Sequence, residues 1–226
     1  VILRIDELDD TDTVTIDSGA TIDYRGDGTA QVMELVSSAA AGTTNETITV
    51  LANAANTEIT NGTAGDGTGT DRFETVNIET STVASAVVAI VGDAAITTGG
   101  SKALTLAGTS TAASVTNSGN VALTVTIDGT ADVATITGSA TATDTIAISE
   151  TAGDDLSDNT LANIDIINMT KAGAVQQTLV LDATQVNGNA LVIDGVVNGG
   201  TKDLITIDAN TSTIDLSGIT VDATDV

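Results

Sequence analysis

Short runs of alternating apolar and polar residues occur along most of this chain. The alternation over 13–17 (TVTID) and 20–24 (ATIDY) has the period of two that half-buried β strands show. Further strands of this kind are predicted at 31–36, 47–51, 57–60 and 103–107. The unbroken apolar run Ser85–Val91 fits a buried strand or a buried helix and is interpreted as a strand. Since helical periods of useful length are missing, the pattern predicts an all-β protein.

A second period, of about nine residues, links neighbouring strands in the middle and at the end of the chain. The run 125–129 (VTIDG) recurs as 134–138 (ATITG), and 205–207 (ITI) is followed at the same spacing by 214–216 (IDL). A strand rises about 3.3 Å per residue, so this spacing holds one short strand and a tight turn. It fits a right-handed parallel β-helix or β-solenoid, and equally the hairpins of β-sandwich domains. Both architectures stay open at this point.

A longer motif over Leu161–Gly195 organises the second half of the chain. It predicts strands at Asp165–Met169, Thr178–Asp182 and Ala190–Asp194. A small turn or one-turn helix, AlaThrGlnVal, is predicted between the last two strands. Asp182 directly precedes that turn, and aspartate is a favoured residue at the start of a helix, so Asp182 is predicted to be its N-cap.

The same motif is present once before, with small deletions in its loops. Phe73–Ile78 (FETVNI) matches Ile164–Met169 (IDIINM), which places Asn77 on Asn168. The aligned positions that follow are Asp93 with Asp182 and 104–106 with 191–193. Both asparagines are predicted to make buried hydrogen bonds, and Asp93 is predicted to cap a second turn.

Repeated units of short strands, each too small to bury a core alone, are typical of stacked architectures. We therefore expect an N-terminal β segment over 1–60, a first repeat unit with a β ladder over 61–152, and a second over 153–226. The three are expected to join in one continuous elongated domain that is part of a longer chain.

The composition adds a strong charge and removes most large side chains. The chain has 31 acidic and 6 basic residues, a formal net charge of −25, no Cys, His, Trp or Pro, and only Tyr24 and Phe73 as aromatic residues. The core must therefore consist of thin layers of Val, Ile, Leu and Ala. Such an acidic surface repels nucleic acids and anionic membranes and attracts divalent cations. No run approaches the roughly 18 apolar residues of a membrane span, so no transmembrane segment is predicted.

Catalysis is not expected from these residues. With no His or Cys, acid–base chemistry would fall to carboxylates, lysines or the single tyrosine, and the basic residues are scattered. Paired carboxylates could hydrolyse a glycoside, but sugar sites usually also present aromatic platforms. The sequence therefore predicts a protein that is not an enzyme.

Acidic, glycine-rich turns are the candidate sites of chemistry. Calcium takes six to eight oxygen ligands, and aspartates alternating with glycines in a turn can supply several of them. The candidate metal ligands are Asp66 and Asp71 before the first repeat, Asp154, Asp155 and Asp158 before the second, and Asp27 in the turn 25–29. The alternative for each aspartate is an ordinary turn residue. The ArgGlyAsp triplet at 25–27 is interpreted as a chance occurrence.

The repeat motifs resemble those of surface-layer proteins and related large secreted proteins of Gram-negative bacteria. The matching segments are 163–170 (NIDIINMT), 179–186 (LVLDATQV) and 191–195 (LVIDG). The resemblance covers two copies, Gly65–Gly108 and Gly153–Gly195. The chain lacks an intact calcium-binding nonapeptide of the RTX type, although residues 65–71 keep part of its glycine–aspartate alternation.

This resemblance implies a function outside the cell. It implies type I secretion, a calcium-dependent β-solenoid or β-sandwich fold, and self-assembly of copies into a two-dimensional lattice on the bacterial surface. Lipopolysaccharide could then be bound through another part of the chain. The alternative is a stalk or binding module of a secreted, RTX-like adhesin, with the same composition and the same calcium requirement.

Overall fold

The computed structural model describes residues 2–6, 11–25, 32–39, 45–53, 56–61, 72–91, 94–107, 112–127, 133–170, 176–195, 202–210 and 213–221. Most of the regular structure in these ranges is β strand. The first ten strands are β1 (Ile2–Ile5), β2 (Thr11–Ile16), β3 (Ala20–Tyr24), β4 (Val32–Ser37), β5 (Thr47–Ala52), β6 (Asn56–Asn61), β7 (Thr75–Thr80), β8 (Ser85–Val91), β9 (Ala95–Gly100) and β10 (Leu104–Leu106). The others are β11 (Ser114–Asn117), β12 (Leu123–Ile127), β13 (Thr135–Thr137), β14 (Thr145–Ile148), β15 (Gly153–Asp155), β16 (Thr160–Ala162), β17 (Ile166–Met169), β18 (Thr178–Asp182), β19 (Leu191–Asp194), β20 (Leu204–Asp208) and β21 (Ile219–Val221). One-turn helix α1 (Ala183–Val186) lies between β18 and β19.

The described strands form three sheets, and every pair of neighbouring strands in them is parallel. The first sheet has the order β1-β3-β5-β7-β9-β11-β13-β16, the second β2-β4-β6-β8-β10-β12-β14-β17-β19-β21, and the third β15-β18-β20. Consecutive strands thus alternate between two sheets, as in a coil. A sandwich is built from antiparallel sheets, so the parallel pairing selects the solenoid-like all-β fold over the sandwich alternative.

The nine-residue period of the sequence corresponds to half a coil. β12 and β13, which carry the two related runs, lie in opposite sheets and do not pair. The strand that stacks on β10 is β12, with Leu104 beside Leu123, nineteen residues later. Elsewhere the coil is longer, since Thr47 lies beside Thr75. The variable interval reflects loops of different length between strands of similar length.

The core is a set of aliphatic columns that run along the coil. One column stacks Ile48, Val76, Ile96, Val115 and Ile136 on five successive strands of the first sheet, and all five are 0% or 1% exposed. The residues between them in each strand face outward, which explains the period of two. Burying one such side chain stabilises the fold by roughly 1.5–3 kcal/mol, so each coil adds a similar stabilising free energy.

The third sheet and α1 appear only in the last part of the described chain. β15 begins at Gly153, and the coil then has three sides instead of two. α1 contacts β16, the last strand of the first sheet, and follows β18 in the chain, where the alternation of sheets would otherwise return to the first sheet. Meanwhile the second sheet continues from β2 to β21 across residues 60 and 152. No helix in the described part of the chain is long and apolar enough to cross a membrane.

Several local predictions are confirmed. The strands predicted at 20–24, 85–91 and 178–182 have the predicted bounds, and AlaThrGlnVal is helical. Asp182 is its N-cap: the carboxylate accepts the Thr184 N–H, while the Gln185 side chain accepts the Asp182 N–H.

The structural equivalence of the two repeat copies is not confirmed. β7 of the first copy lies in the first sheet, whereas its counterpart β17 lies in the second. Asp93, the predicted cap of a second turn, lies outside the described residues, and strand β9 follows it in the chain. Asn77 and Asn168 are half-buried on outward faces rather than buried, and Asn77 Nδ2 donates to Thr49 Oγ1 at 3.5 Å. Matching sequence therefore does not mean matching position in the coil.

Replacing Gly100 by alanine is expected to destabilise the fold far more than replacing Gly188. Both have positive φ, +103° and +72°, but a Cβ on Gly100 would lie 2.1 Å from the Thr80 carbonyl oxygen, whereas nothing lies within 4 Å of one on Gly188. We expect Gly188→Ala to lower the unfolding free energy by about 1 kcal/mol, because of its φ alone. Gly100→Ala should lower it by about 3 kcal/mol or more, because the clash is added. Urea unfolding followed by far-UV circular dichroism measures both, and equal losses would contradict the stacking described for β7 and β9.

Candidate functional site

Three of the six predicted calcium ligands can be placed in the structure. Asp27, Asp66 and Asp71 lie outside the described residues. Asp154 and Asp155 end strand β15, and Asp158 follows in the turn that leads to β16.

The carboxylates of this turn accept hydrogen bonds from the turn itself. Asp155 Oδ1 accepts the N–H of Ser157 at 3.0 Å and its Oγ–H at 2.6 Å, and Asp154 Oδ1 accepts the Asp155 N–H at 2.9 Å. The Ser157 hydroxyl, followed by the Ser157 N–H, holds the pKa of Asp155 below its usual value. Among the described residues, no group of three or more acidic side chains is placed to hold a metal ion. Calcium binding by Asp154, Asp155 and Asp158 therefore stays a prediction.

A shallow depression of about 330 Å³ brings together aspartates that are distant in sequence. Asp158, Asp182 and Asp208 line it, and Asp182 and Asp208 are adjacent in the ladder of β18 and β20. The Asp182 carboxylate accepts bonds from the Thr184 N–H and Oγ–H, both at 2.7 Å, and from Asn210 Nδ2 at 2.6 Å. These bonds, with Thr184 first, lower the pKa of Asp182. Its carboxylate is held by neutral donors, as a helix cap is.

A different and repeated role for acidic residues emerges at the starts of strands. An acidic side chain directly before a strand accepts the backbone N–H of the residue beside it in the preceding coil. The four acceptor–donor pairs are Glu74 with Glu46 at 2.6 Å, Asp144 with Leu123 at 2.7 Å, Asp165 with Asp144 at 2.8 Å, and Asp203 with Gln177 at 2.9 Å. We call these four side chains the strand-start carboxylates. Each joins two coils at a corner, where the ladder of the strand has not yet begun.

Asp144 is the most enclosed strand-start carboxylate, with 1% of its surface exposed. Besides the Leu123 N–H, it accepts the Ser139 N–H at 2.5 Å and the Asn117 side-chain amide at 2.8 Å. Gly138 lies against it, since a Cβ there would be 2.8 Å from Asp144 Oδ2. Convergent N–H groups thus supply the hydrogen bonds that a buried polar side chain requires.

Two arginines form ion pairs with nearby carboxylates. Arg4 pairs with Asp6, and Arg25 pairs with Asp23. Burial alone would raise the pKa of Asp23, but the hydrogen bonds from Asn53 at 2.7 Å and Arg25 at 2.8 Å, with the charges of Arg25 and Arg4, outweigh it and lower the pKa.

Sequence reasoning missed the strand-start carboxylates and the pairing of Asp182 with Asp208. The first have a local signal, an acidic residue at the start of an alternating run, as Asp165 is in the strand predicted at 165–169 and Asp144 is before 145–148. The second has none, because it depends on the register of β18 against β20.

Asp144→Ala is expected to lower the unfolding free energy by about 3 kcal/mol or more, because it leaves two buried backbone N–H groups without their acceptor and removes one of the acceptors of the Asn117 amide. Asp144→Asn should cost less, since one oxygen acceptor remains. Asp158→Ala is the control, because Asp158 is exposed. Urea unfolding followed by circular dichroism compares the three variants. A loss for Asp144→Ala no larger than that for Asp158→Ala would contradict the role of the strand-start carboxylates.

The lowered pKa of Asp155 predicts a pH-dependent contribution to stability. A carboxyl whose pKa is lower in the folded state stabilises the fold above its unfolded pKa, about 3.9, and loses that contribution as pH falls through the folded value. The difference in unfolding free energy between the parent and Asp155→Asn should be constant above about pH 5 and shrink below about pH 4. The two proteins carry the same other charges. Subtracting their unfolding free energies therefore cancels the general repulsion among those charges. A difference that does not change with pH would contradict the bonding of Asp155.

Comparison with known proteins finds no family model, no curated protein and no solved structure that matches this chain. The resemblance to surface-layer proteins carried by 163–170, 179–186 and 191–195 therefore stays a prediction from those motifs.

Proposed function

We propose that this chain is a structural, self-assembling subunit of a calcium-stabilised bacterial surface layer, located outside the cell. The observation that carries the proposal is the uninterrupted second sheet, in which ten parallel strands stack from β2 to β21. With about 4.8 Å between neighbouring strands, this sheet is roughly 43 Å long. A stiff, repetitive body of this kind suits a building element, and the repeat motifs resemble those of surface-layer proteins.

The charge supports a requirement for counterions. The chain has 31 acidic and 6 basic residues, so most of its carboxylates have no basic residue to pair with. Copies packed side by side would repel each other unless cations lay between them. Calcium suits this role because it prefers oxygen ligands from several carboxylates. The ions would be shared between copies or held by the predicted turns, which contain Asp27, Asp66 and Asp71 before the second copy and Asp154, Asp155 and Asp158 at its start.

A stalk or binding module of a secreted adhesin is the second candidate, favoured by one feature of the fold. The buried Asn61 side chain donates to the Phe73 carbonyl at 2.8 Å and accepts the Phe73 N–H at 3.0 Å. This clamp closes the coil at both ends of the segment 62–72. A long segment anchored in this way can carry a binding site without disturbing the stacked strands.

The surface-layer proposal predicts that the purified protein forms two-dimensional sheets in calcium and disperses on chelation. Electron microscopy distinguishes sheets from the isolated rods expected of a stalk, and magnesium at equal ionic strength is the control for simple screening. The variant with Asp27→Asn, Asp66→Asn and Asp71→Asn should need more calcium to assemble. The variant with Asp154→Asn, Asp155→Asn and Asp158→Asn tests the other predicted turn in the same way. Assembly and melting temperature that are both indifferent to chelation would refute the proposal.

A further inference from the structure

The first sheet ends inside the coil, and its last strand has an outer edge that no described strand covers. The order of that sheet stops at β16, while the second sheet continues through β17, β19 and β21. Thr160 donates to the Ala134 carbonyl at 2.9 Å and Ala162 accepts from Gly138 at 2.8 Å, so both use their peptide groups toward β13. In a parallel ladder alternate residues bond to opposite sides, so the N–H and C=O of Leu161 point to the outer edge.

Helix α1 protects only the beginning of this edge. Gln185 Nε2 donates to the carbonyls of Leu156 and Asn159, at 2.6 and 2.7 Å, which closes the edge ahead of β16. Beyond this point a groove opens between β16 and the start of β19, with a volume of about 410 Å³. The half-buried Leu161 and Ile164 contribute apolar surface to it. Uncovered strand edges are the surfaces to which extended peptides add.

The charges around the groove indicate what kind of peptide fits. Asp165 is the one charged residue among those that line it, and its Oδ2 accepts the Asp144 N–H at 2.8 Å. Asn163 and Asn189 supply further polar groups to the lining. The formal charge of the chain is −25, so the surrounding field disfavours an acidic segment, including one from a second copy of this chain. A lysine or arginine side chain is complementary to Asp165.

We propose that this groove binds an extended, cationic peptide segment, which adds as a strand to the outer edge of β16, places an aliphatic side chain over Leu161 and Ile164, and pairs a basic side chain with Asp165. This interaction goes beyond the proposed function and does not depend on assembly or on calcium.

The test uses a fluorescein-labelled peptide of sequence Lys-Val-Thr-Val-Lys-Thr and fluorescence anisotropy at low salt, with the full chain. Saturable binding is expected. Ala190→Phe places a large side chain at an exposed position of the groove and should weaken binding by about tenfold or more. Thr143→Phe, at an exposed position outside the lining, is the matched control and should bind like the parent. Asp165→Asn keeps an oxygen acceptor for the Asp144 N–H, and should weaken binding and reduce its dependence on salt.

Two altered peptides test the two parts of the interaction. Replacing both lysines with glutamates should abolish binding, because no basic side chain is left to pair with Asp165. N-methylation of alternate peptide groups should also abolish binding, because it removes the N–H donors that pair with the strand edge. The proposal is overturned if the labelled peptide does not bind, if either altered peptide binds equally well, or if Ala190→Phe binds like the parent while circular dichroism shows it folded. Self-association of the parent that Ala190→Phe abolishes, measured by sedimentation velocity, would identify a second copy as the occupant and also overturn it.

Discussion

In-register parallel stacking is the constraint on which the rest of this structure depends. Every coil places an aliphatic residue directly over its equivalent in the coil before, as in the column from Ile48 to Ile136. The same stacking aligns the backbone ladders, so burial and hydrogen bonding favour one register together. A chain with only two aromatic residues can form a core in this way, because many thin layers of Val, Ile and Leu stack along the coil and replace one thick core.

The corners of the coil need a different interaction, since the ladder does not extend into them. There, residues such as Asp144 and Glu74 span the two coils with a side chain that accepts a backbone N–H. A carboxylate is well suited, because it offers two acceptor oxygens and makes stronger bonds to N–H groups than a neutral acceptor does. Part of the acidic excess is therefore structural. Because the donors are neutral, this role adds negative charge without adding bases, which helps to explain how the chain can carry so few of them.

Local features of the fold could be predicted from the sequence, whereas the features set by register could not. The strand at 178–182, helix α1 and the cap at Asp182 each have a signal within a few residues. The sheet to which a strand belongs depends instead on how many residues the loops consume, and the interval from Thr47 to Thr75 exceeds that from Leu104 to Leu123. The related segments at 73–78 and 164–169 therefore contribute strands to different sheets. For the same reason the sequence could not reveal that Asp182 meets Asp208, although it correctly marked the turn 154–158 as rich in carboxylates.

The acidic residues thus divide into two electrostatic classes, with different consequences for assembly. Those held by converging N–H groups, such as Asp144, have their carboxylate oxygens hydrogen-bonded inside one chain. Those on the exposed face, such as Asp158 and Asp208, keep their charge in solvent, where it acts over about one Debye length. A divalent cation can lower the free energy of the second class far more than that of the first. On this basis, an ion requirement in this protein belongs to contacts between chains and to exposed turns, while the coil is held by its aliphatic columns and its strand-start carboxylates.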